Sequence, residues 1–268
     1  RDQPRSRGLG DVYKRQFHTC MYGVEEVAQA NDYDIIVVTT NGNDTKPLER
    51  LIQNRKVDGM ILTRTYENDK YVKFLKQKQI PFVAVGKFPD DDVVQVDHDN
   101  VGACKELVTV LFAKGIQNIA YLGSNMDQMV NRCRYQGYEE AYRKGKRKLN
   151  QDLVYTDLSS KAMVEKAVEE LKKSGVECIL CQDDYICDEA VRKLSHMGVR
   201  IPDQMKVASC HYSRILENYP VTVTSLKFNI TELGRRSCQV LLDMIHGKTV
   251  PDKTLLDYEI ILKESTKG

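Results

Sequence analysis

Residues 182–185 read Gln-Asp-Asp-Tyr and place two adjacent carboxylates where an apolar run, residues 178–181, gives way to a helical pattern. Two carboxylates at such a junction could hold a metal ion, act as an acid/base pair, cap the helix or bind a ligand. Since an acid/base pair would indicate an enzyme and a cap or ligand clamp would not, the rest of the sequence has to decide between these roles.

Nucleophilic, redox and metal chemistry find little support elsewhere. Cys178 and Cys181 form a C-x-x-C pair, but side chains three apart on a strand point to opposite faces, and no second Cys/His pair accompanies them. We therefore favour structural thiols over a zinc or redox site. The sequence shows no G-x-S-x-G elbow, no P-loop and no G-x-G-x-x-G fingerprint. These patterns predict a protein that is not an enzyme, with no catalytic residues, no cofactor and no metal ion.

Bulk properties exclude two classes of partner and indicate a compartment. The net charge of +2 with 29% charged residues lacks the basic footprint of a nucleic-acid-binding surface. No apolar run approaches the roughly 18 residues of a membrane span, which predicts no membrane partner. The eight cysteines lie mostly inside apolar runs, as reduced thiols do in cytosolic proteins, so a cytoplasmic location is expected.

Short apolar strands alternate with amphipathic helices along most of the chain. The predicted strands are residues 34–39, 59–62, 81–86, 118–123, 153–155, 178–181 and 207–210, and the predicted helices are residues 23–31, 46–55, 71–78, 102–114, 135–144, 161–173 and 186–197. This alternation predicts an α/β fold with doubly wound parallel sheets. Because the rhythm restarts after residue 123, we expect two lobes of similar size with a ligand cleft between them.

The first sixteen residues differ from the rest of the chain. They are basic and lack hydrophobic periodicity, and the pattern changes abruptly at Phe17. A basic DNA-binding arm is one interpretation, although a helix-turn-helix needs more chain than this. We expect residues 1–16 to be a non-native remnant or a disordered end that takes no part in the fold.

Several short motifs, taken in order, resemble the LacI/GalR family of transcriptional regulators. The stretches at residues 23–28, 56–62, 96–103, 134–138 (R-x-x-G-aromatic) and 260–266 follow the order of that family's motifs. The resemblance spans about residues 17–266 and implies a type I periplasmic-binding-protein-like fold. It implies an N-terminal lobe of residues 17–122 plus 225–250 and a C-terminal lobe of residues 123–224 plus 251–268.

The same resemblance implies a function. The chain would be the effector-sensing and dimerisation core of a homodimeric regulator that binds a sugar or a similar small polar metabolite in the cleft between the lobes. Operator DNA would be bound only through an N-terminal headpiece outside this sequence, so the chain as given is not expected to bind operator DNA. The alternative is the substrate-binding protein of a sugar ABC transporter, against which eight apparently free cysteines count.

Family positions also suggest ligand-binding residues. Arg134 matches a ligand-binding arginine, and its guanidinium could donate a two-pronged hydrogen bond to vicinal hydroxyls; a surface arginine is the alternative. Gln182 matches an amide facing the cleft, while Asp183, or Asp184 in its stead, is expected to cap the following helix. The candidate ligand-binding residues are Phe17, Arg64, Arg134, Gln182, Asp183, His211 and Tyr212.

Three of these candidates depart from the family or have an alternative placement. Tyr212 stands where the family commonly has an aspartate that accepts sugar hydroxyls, so a charged acceptor is replaced by a phenol. Phe17 matches a pocket aromatic but could equally lie in the core or in a disordered end. Arg64 comes just after a predicted strand and could instead be a solvated loop residue.

Overall fold

The computed structural model describes residues 9–40, 44–64, 68–89 and 92–267, with side chains from residue 17 onward. The helices are α1 (Leu9–Gln29), α2 (Lys46–Gln53), α3 (Lys70–Lys78), α4 (Asn100–Ala113), α5 (Met129–Lys144), α6 (Lys161–Leu171), α7 (Asp184–His196) and α8 (Ile230–Ile245). The strands are β1 (Met60–Leu62), β2 (Phe82–Val85), β3 (Gln95–His98), β4 (Ile119–Leu122), β5 (Val154–Tyr155), β6 (Cys178–Cys181), β7 (Lys206–Ser209), β8 (Thr224–Phe228), β9 (Lys253–Leu256) and β10 (Tyr258–Ile261). The chain forms two compact units: unit 1 comprises Arg1–His98 and Asn229–Leu256, and unit 2 comprises Asp99–Phe228 and Asp257–Gly268.

Unit 1 is built on a parallel sheet with the strand order β1-β2-β3-β9. Alternate residues of β2 cover opposite faces of this sheet, as the pleat of a strand requires. Phe82 and Ala84 pack with residues of α2 and α3, such as Leu48 and Leu75. Val83 packs on the other face against α8. Helices therefore cover both faces, which confirms the predicted doubly wound arrangement for this unit.

Helices α1 and α8 of unit 1 cross with almost no space between their backbones. A Cβ atom placed on Gly23 would lie 2.0 Å from the carbonyl oxygen of Thr231, and one placed on Gly234 would lie 2.0 Å from the carbonyl oxygen of Cys20. Around this crossing, Val24 packs in one apolar cluster with residues of α8. The two glycines thus permit a backbone approach that any side chain would prevent.

Unit 2 contains a sheet with the order β10-β8-β7-β6-β4-β5, in which the pairing of β10 with β8 is antiparallel and the others are parallel. Its main apolar core lies between this sheet and α6 and α7. Helices α4 and α5 also pack together, and Tyr138 and Tyr142 of α5 donate hydrogen bonds of 2.7 and 3.1 Å to the carbonyl oxygen of Ile119. The α/β fold class with parallel sheets is confirmed.

The strand predicted at residues 34–39 is wrong. Residues 33–40 come after α1 without regular structure, and the side chains of Ile36 and Val37 are 49% and 58% exposed. A strand needs a neighbour for its backbone hydrogen bonds, and in the described residues no strand pairs with this run, since β1 stands at the edge of the sheet. The β-branched residues of this run therefore have the composition of a strand, but within the described part of the chain the run lacks a neighbouring strand with which to form backbone hydrogen bonds.

Two further expectations differ from the structure. The helix expected to begin at residue 23 begins at Leu9, so residues 9–16 belong to α1 and are not a structureless remnant; residues 1–8 lie outside the described residues. The lobe boundary also falls elsewhere, since α4, β4 and all of β8 belong to unit 2 and β9 belongs to unit 1. The reason is packing: α4 lies against α5, and β9 pairs with β3.

Candidate functional site

Polar residues of unit 2 stand at the ends of three neighbouring parallel strands. Ser124 lies just beyond β4, Gln182 and Asp183 come directly after β6, and His211 comes after β7. The strands run in register, with Leu122 opposite Cys181 and Cys181 opposite Ser209. Because the carboxyl ends of parallel strands meet at one edge, these residues share the edge at which doubly wound sheets bind ligands. We call this edge the polar edge of unit 2.

Arg134 reaches this polar edge from α5 and is only 7% exposed. Its Nη1 donates to the carbonyl oxygen of Gln182 at 3.0 Å, and its Nε donates to Oδ1 of Asn100 at 3.3 Å. The guanidinium carbon lies 5.9 Å from the centre of the Phe228 ring. The side chain of Arg134 is therefore buried and fixed by hydrogen bonds, and the alternative of a surface arginine is wrong.

Asp183 supplies a negative charge that interacts with this guanidinium. It is the N-cap of α7, and its Oδ1 accepts a hydrogen bond of 2.9 Å from the backbone N–H of Ile186. Burial raises the pKa of Asp183 above its ordinary value, while the Ile186 N–H and the positive charge of Arg134 oppose that rise. The predicted helix cap is confirmed for Asp183, and Asp184 is the first residue of the helix.

The raised pKa of Asp183 gives a pH-dependent prediction for Asp183→Asn. A carboxyl whose pKa is raised on folding stabilises the fold below its ordinary pKa of 3.8, and that contribution is lost as pH rises through the folded value. Asparagine caps helices about as well and stays neutral. We therefore expect the stability of Asp183→Asn, relative to the unsubstituted chain, to increase as pH rises above the ordinary value, by about 1.4 kcal/mol for each unit of the pKa rise. Urea unfolding at several pH values measures this difference, and a flat or falling difference would contradict the raised pKa.

Gln182 is fully buried, and its side-chain amide forms hydrogen bonds within the protein. Its Oε1 accepts from the backbone N–H of Ser124 at 3.0 Å, and its Nε2 donates to Oγ of Ser124 at 3.1 Å. A Cβ atom on Gly123 would lie 2.7 Å from the same Oε1, so glycine is needed for this contact. The amide holds the turn after β4 in place, which favours a positioning role; direct contact with a ligand stays a prediction.

His211 and Tyr212 form a tight turn after β7. Oγ of Ser209 donates to the carbonyl oxygen of His211 at 2.7 Å and accepts from its N–H at 3.2 Å. The His211 ring stacks on Phe228, with ring centres 6.3 Å apart and planes 12° apart. The N–H of Tyr212 donates to the carbonyl oxygen of Leu226 at 2.7 Å, and burial together with a hydrogen bond to Glu217 raises the pKa of its phenol. Arg134 and His211 thus lie against the same aromatic ring.

Phe17 and Arg64 belong to unit 1. Phe17 is half-buried on α1 and makes an edge-on contact with His18, with ring centres 5.9 Å apart. Arg64 is exposed and lies two residues beyond the end of β1. Their predicted ligand contacts remain predictions.

Three residues at or against the polar edge were not among the predicted site residues: Ser124, Phe228 and Asn100. Phe228 ends β8 and Asn100 begins α4, far in sequence from the residues they contact. Asn100 lies within the motif at 96–103, which offered a weak signal; nothing local marks Phe228. Within the described residues, no group of three His, Cys, Asp or Glu side chains is placed to hold a metal ion, and no helix is long and apolar enough to cross a membrane.

The sequence matches known proteins over nearly its whole length. The profile of the family described as periplasmic binding proteins and sugar binding domain of LacI family matches residues 10–264. The HTH-type transcriptional regulator MalR of Streptococcus pneumoniae serotype 4 is 26% identical over 260 residues, covering 92% of this chain and 76% of MalR.

Solved structures show the same fold. A LacI transcriptional regulator from Bacillus cereus subsp. cytotoxis NVH 391-98 superposes with a TM-score of 0.89 at 23% identity, covering 97% of this chain and 95% of that one. A complex of the transcriptional regulator CelR with cellobiose superposes with a TM-score of 0.84 at 24% identity, covering 93% of this chain and 79% of that one. With two α/β units, a polar edge at the ends of parallel strands and a family match over most of its length, the chain belongs to the periplasmic binding protein and LacI-type sugar-binding-domain family.

Proposed function

We propose that this chain is the effector-sensing core of a transcriptional regulator and that it binds a sugar or similar polar metabolite at the polar edge of unit 2. The observation that carries the proposal is the buried guanidinium of Arg134. It is fixed by Asn100 and Gln182 at the edge where doubly wound sheets bind ligands. Burying a cation costs free energy. Because the family binds ligands, recognition of ligand hydroxyls would account for a buried guanidinium at this edge.

The chemistry around Arg134 suits a polyhydroxylated ligand. A guanidinium carries five N–H donors, and its bonds to Gln182 and Asn100 use only part of that set. The rings of Phe228 and His211 provide apolar surface against which the C–H face of a sugar can pack. Tyr212 adds a phenol that can donate or accept. The proposed contacts in this unit are therefore Arg134, His211 and Tyr212, with Gln182 and Asp183 holding them; Phe17 and Arg64 are proposed contacts from unit 1.

The regulatory role is supported by the relatives. MalR and both fold relatives carry the names of transcriptional regulators, not of enzymes. A ligand that binds one conformation of the core more tightly than another shifts the population toward it, which is all that control of DNA affinity requires. We propose that the intact regulator is a cytoplasmic homodimer that binds operator DNA through a separate headpiece.

The transporter alternative is less favoured. A substrate-binding protein of a sugar ABC transporter works in an oxidising compartment, whereas all eight cysteines of this chain are buried and none is in a disulfide. The named relatives are also regulators. Both observations support a protein that works in a reducing compartment.

A thermal-shift panel with a matched pair of variants tests the proposed site. Cellobiose, maltose, glucose and ribose are added to the whole chain, and we expect at least one to raise the melting temperature in a concentration-dependent way. Arg134→Lys keeps the charge but loses the planar fork, so we expect the apparent affinity for that sugar to fall roughly 10- to 100-fold. Arg143→Lys is the control, because Arg143 lies on the same helix with its side chain 79% exposed.

The outcomes separate the site from the function. A sugar that stabilises the unsubstituted chain and Arg134→Lys equally would reject the polar edge as the binding site. A panel in which no sugar stabilises the chain, extended without success to sugar phosphates and sugar acids, would reject a sugar as the effector.

A further inference from the structure

Two cysteines from distant parts of the chain meet directly behind the polar edge. Cys104 lies on α4 and Cys210 comes directly after β7, and their Sγ atoms are 3.6 Å apart. Both side chains are fully buried. The proposed function makes no use of this pair, although Cys210 immediately precedes His211.

We propose that Cys104 and Cys210 are a site of oxidative modification, at which a peroxide converts the two thiols to an intramolecular disulfide that ties α4 to the turn at His211 and Tyr212. The formation of this bond is independent of the proposed ligand. Only its effect on ligand binding rests on the proposed function.

The geometry favours this pair because little movement separates the thiols from a bond. A disulfide joins its sulfurs at about 2.05 Å, so the two Sγ atoms, now 3.6 Å apart, must approach by about 1.5 Å. In the reduced protein the pair already shares a hydrogen bond. Each sulfur is therefore held next to the partner that would trap its oxidised form.

The reaction balances with hydrogen peroxide as the oxidant. The sulfur of one cysteine, as thiolate, attacks a peroxide oxygen and becomes a sulfenic acid while the O–O bond breaks and water leaves. The second thiol then displaces the sulfenic hydroxyl as a second water and forms the S–S bond. In sum, two thiols and one peroxide give one disulfide and two waters.

Burial sets the expected rate. It raises the pKa of the Cys104 thiol well above its ordinary value, so the reactive thiolate is scarce. The positive charge of Arg134 opposes that rise. We therefore expect slow oxidation over minutes to hours in millimolar peroxide and a product that, once formed, is shielded from reduction.

The disulfide would connect two parts of the proposed ligand site. Asn100, which accepts from Arg134, stands one turn before Cys104 on α4, and His211 adjoins Cys210. A covalent bond between these elements would restrict any adjustment of the turn relative to α4. It would also constrain the unfolded chain by closing a loop of about a hundred residues, which predicts a melting temperature about 5 °C higher or more.

Peptide mapping of the oxidised whole chain tests the proposal. The protein is treated with hydrogen peroxide, quenched in acid, unfolded, alkylated and digested without reduction. We expect a peptide pair joined through Cys104 and Cys210 as the main linked product, together with the rise in melting temperature. Cys210→Ala should lose both. Cys238→Ala is the matched control, since it removes a buried thiol of the other unit, and it should retain both.

The same peroxide treatment of the chain unfolded in urea gives the random pattern of links for comparison. The proposal is overturned if Cys104 or Cys210 of the folded protein is still recovered as a free thiol after hours in millimolar peroxide. Cys181 and Cys187 also share a side-chain hydrogen bond, so they form the competing pair. The proposal is overturned equally if the main link joins these two, if the pattern matches that of the unfolded chain, or if Cys104 or Cys210 ends as a sulfinic acid.

Discussion

Arg134→Ala is expected to lower the free energy of unfolding by about 3–5 kcal/mol, because it removes a buried cation together with two of its hydrogen bonds and its attraction to a buried carboxyl. The substitution leaves the carbonyl oxygen of Gln182 without its 3.0 Å donor and Asn100 without its 3.3 Å donor. It also leaves the buried carboxyl of Asp183 without the positive charge that favours its ionised form. Urea unfolding at neutral pH, followed by circular dichroism, measures the loss.

The exposed arginine of the same helix provides the control for this expectation. Arg143 has a side chain that is 79% exposed and lies 3.7 Å from Glu140. Arg143→Ala should cost no more than about 0.5 kcal/mol, because exposed ion pairs contribute little. The cost of Arg134→Ala should also shrink at acidic pH, where Asp183 becomes neutral and needs no cation. Equal costs for the two variants would mean that Arg134 is not buried as the structure has it.

Gly234→Ala is expected to destabilise unit 1 by about 2 kcal/mol or more, although the same substitution normally stabilises a helix. In a helix interior, alanine is ordinarily about 1 kcal/mol more favourable than glycine. Here the added Cβ would lie 2.0 Å from the carbonyl oxygen and 3.0 Å from the carbonyl carbon of Cys20. Both are backbone atoms that cannot rotate away, so α1 and α8 would have to separate, and overpacking of this kind costs about 1–3 kcal/mol or occasionally more.

A second glycine outside the crossing separates this clash from the general effect of alanine. At Gly145, the residue after α5, an added Cβ would lie 3.3 Å from the carbonyl oxygen of Ala141, and the φ angle of −74° suits any residue. Gly145→Ala should therefore change the free energy of unfolding by no more than about 0.5 kcal/mol. A Gly234→Ala protein that unfolds at the same urea concentration as the unsubstituted chain, or a higher one, would refute the close crossing.

Local patterns predicted the elements well where residues near in sequence decide them. The strand at residues 178–181 and the helix beginning at Lys161 are found as expected. Asp183 caps α7 as predicted, through a 2.9 Å hydrogen bond from the N–H of Ile186. Caps and apolar stripes depend on neighbours within one turn, and the sequence displays those directly.

The errors concern partners that lie far away in the chain. Residues 34–39 have the composition of a strand, but composition cannot provide the neighbouring strand. The lobe boundary was misplaced because the resemblance, which rests on short motifs, implied that residues 17–122 form one lobe, whereas the contact of α4 with α5 puts α4 in unit 2. An apolar stripe predicts which face of a helix is buried, but it does not predict which element packs against that face.

The site was predicted in part for the same reason. Arg134 was found through a motif, but its burial depends on Phe228 and Asn100, which no local pattern connects to it. Gln182 was recognised as a polar residue at a strand end. The hydrogen bonds between its side-chain amide and Ser124 form only because β4 and β6 are neighbours in the sheet, so they could not be predicted from local sequence.

The interleaving of the two units has a consequence for the chain as it leaves the ribosome. Unit 1 begins the sequence, yet the face of its sheet that carries Val83 and Val96 is covered by α8, which comes after the whole of Asp99–Phe228. At about 5–20 residues per second, that face would wait roughly 7–30 s for its helix. Most of unit 2 would by then be complete. The part made first therefore waits for a helix made near the end of synthesis, and until then the nascent chain would carry an uncovered apolar sheet face.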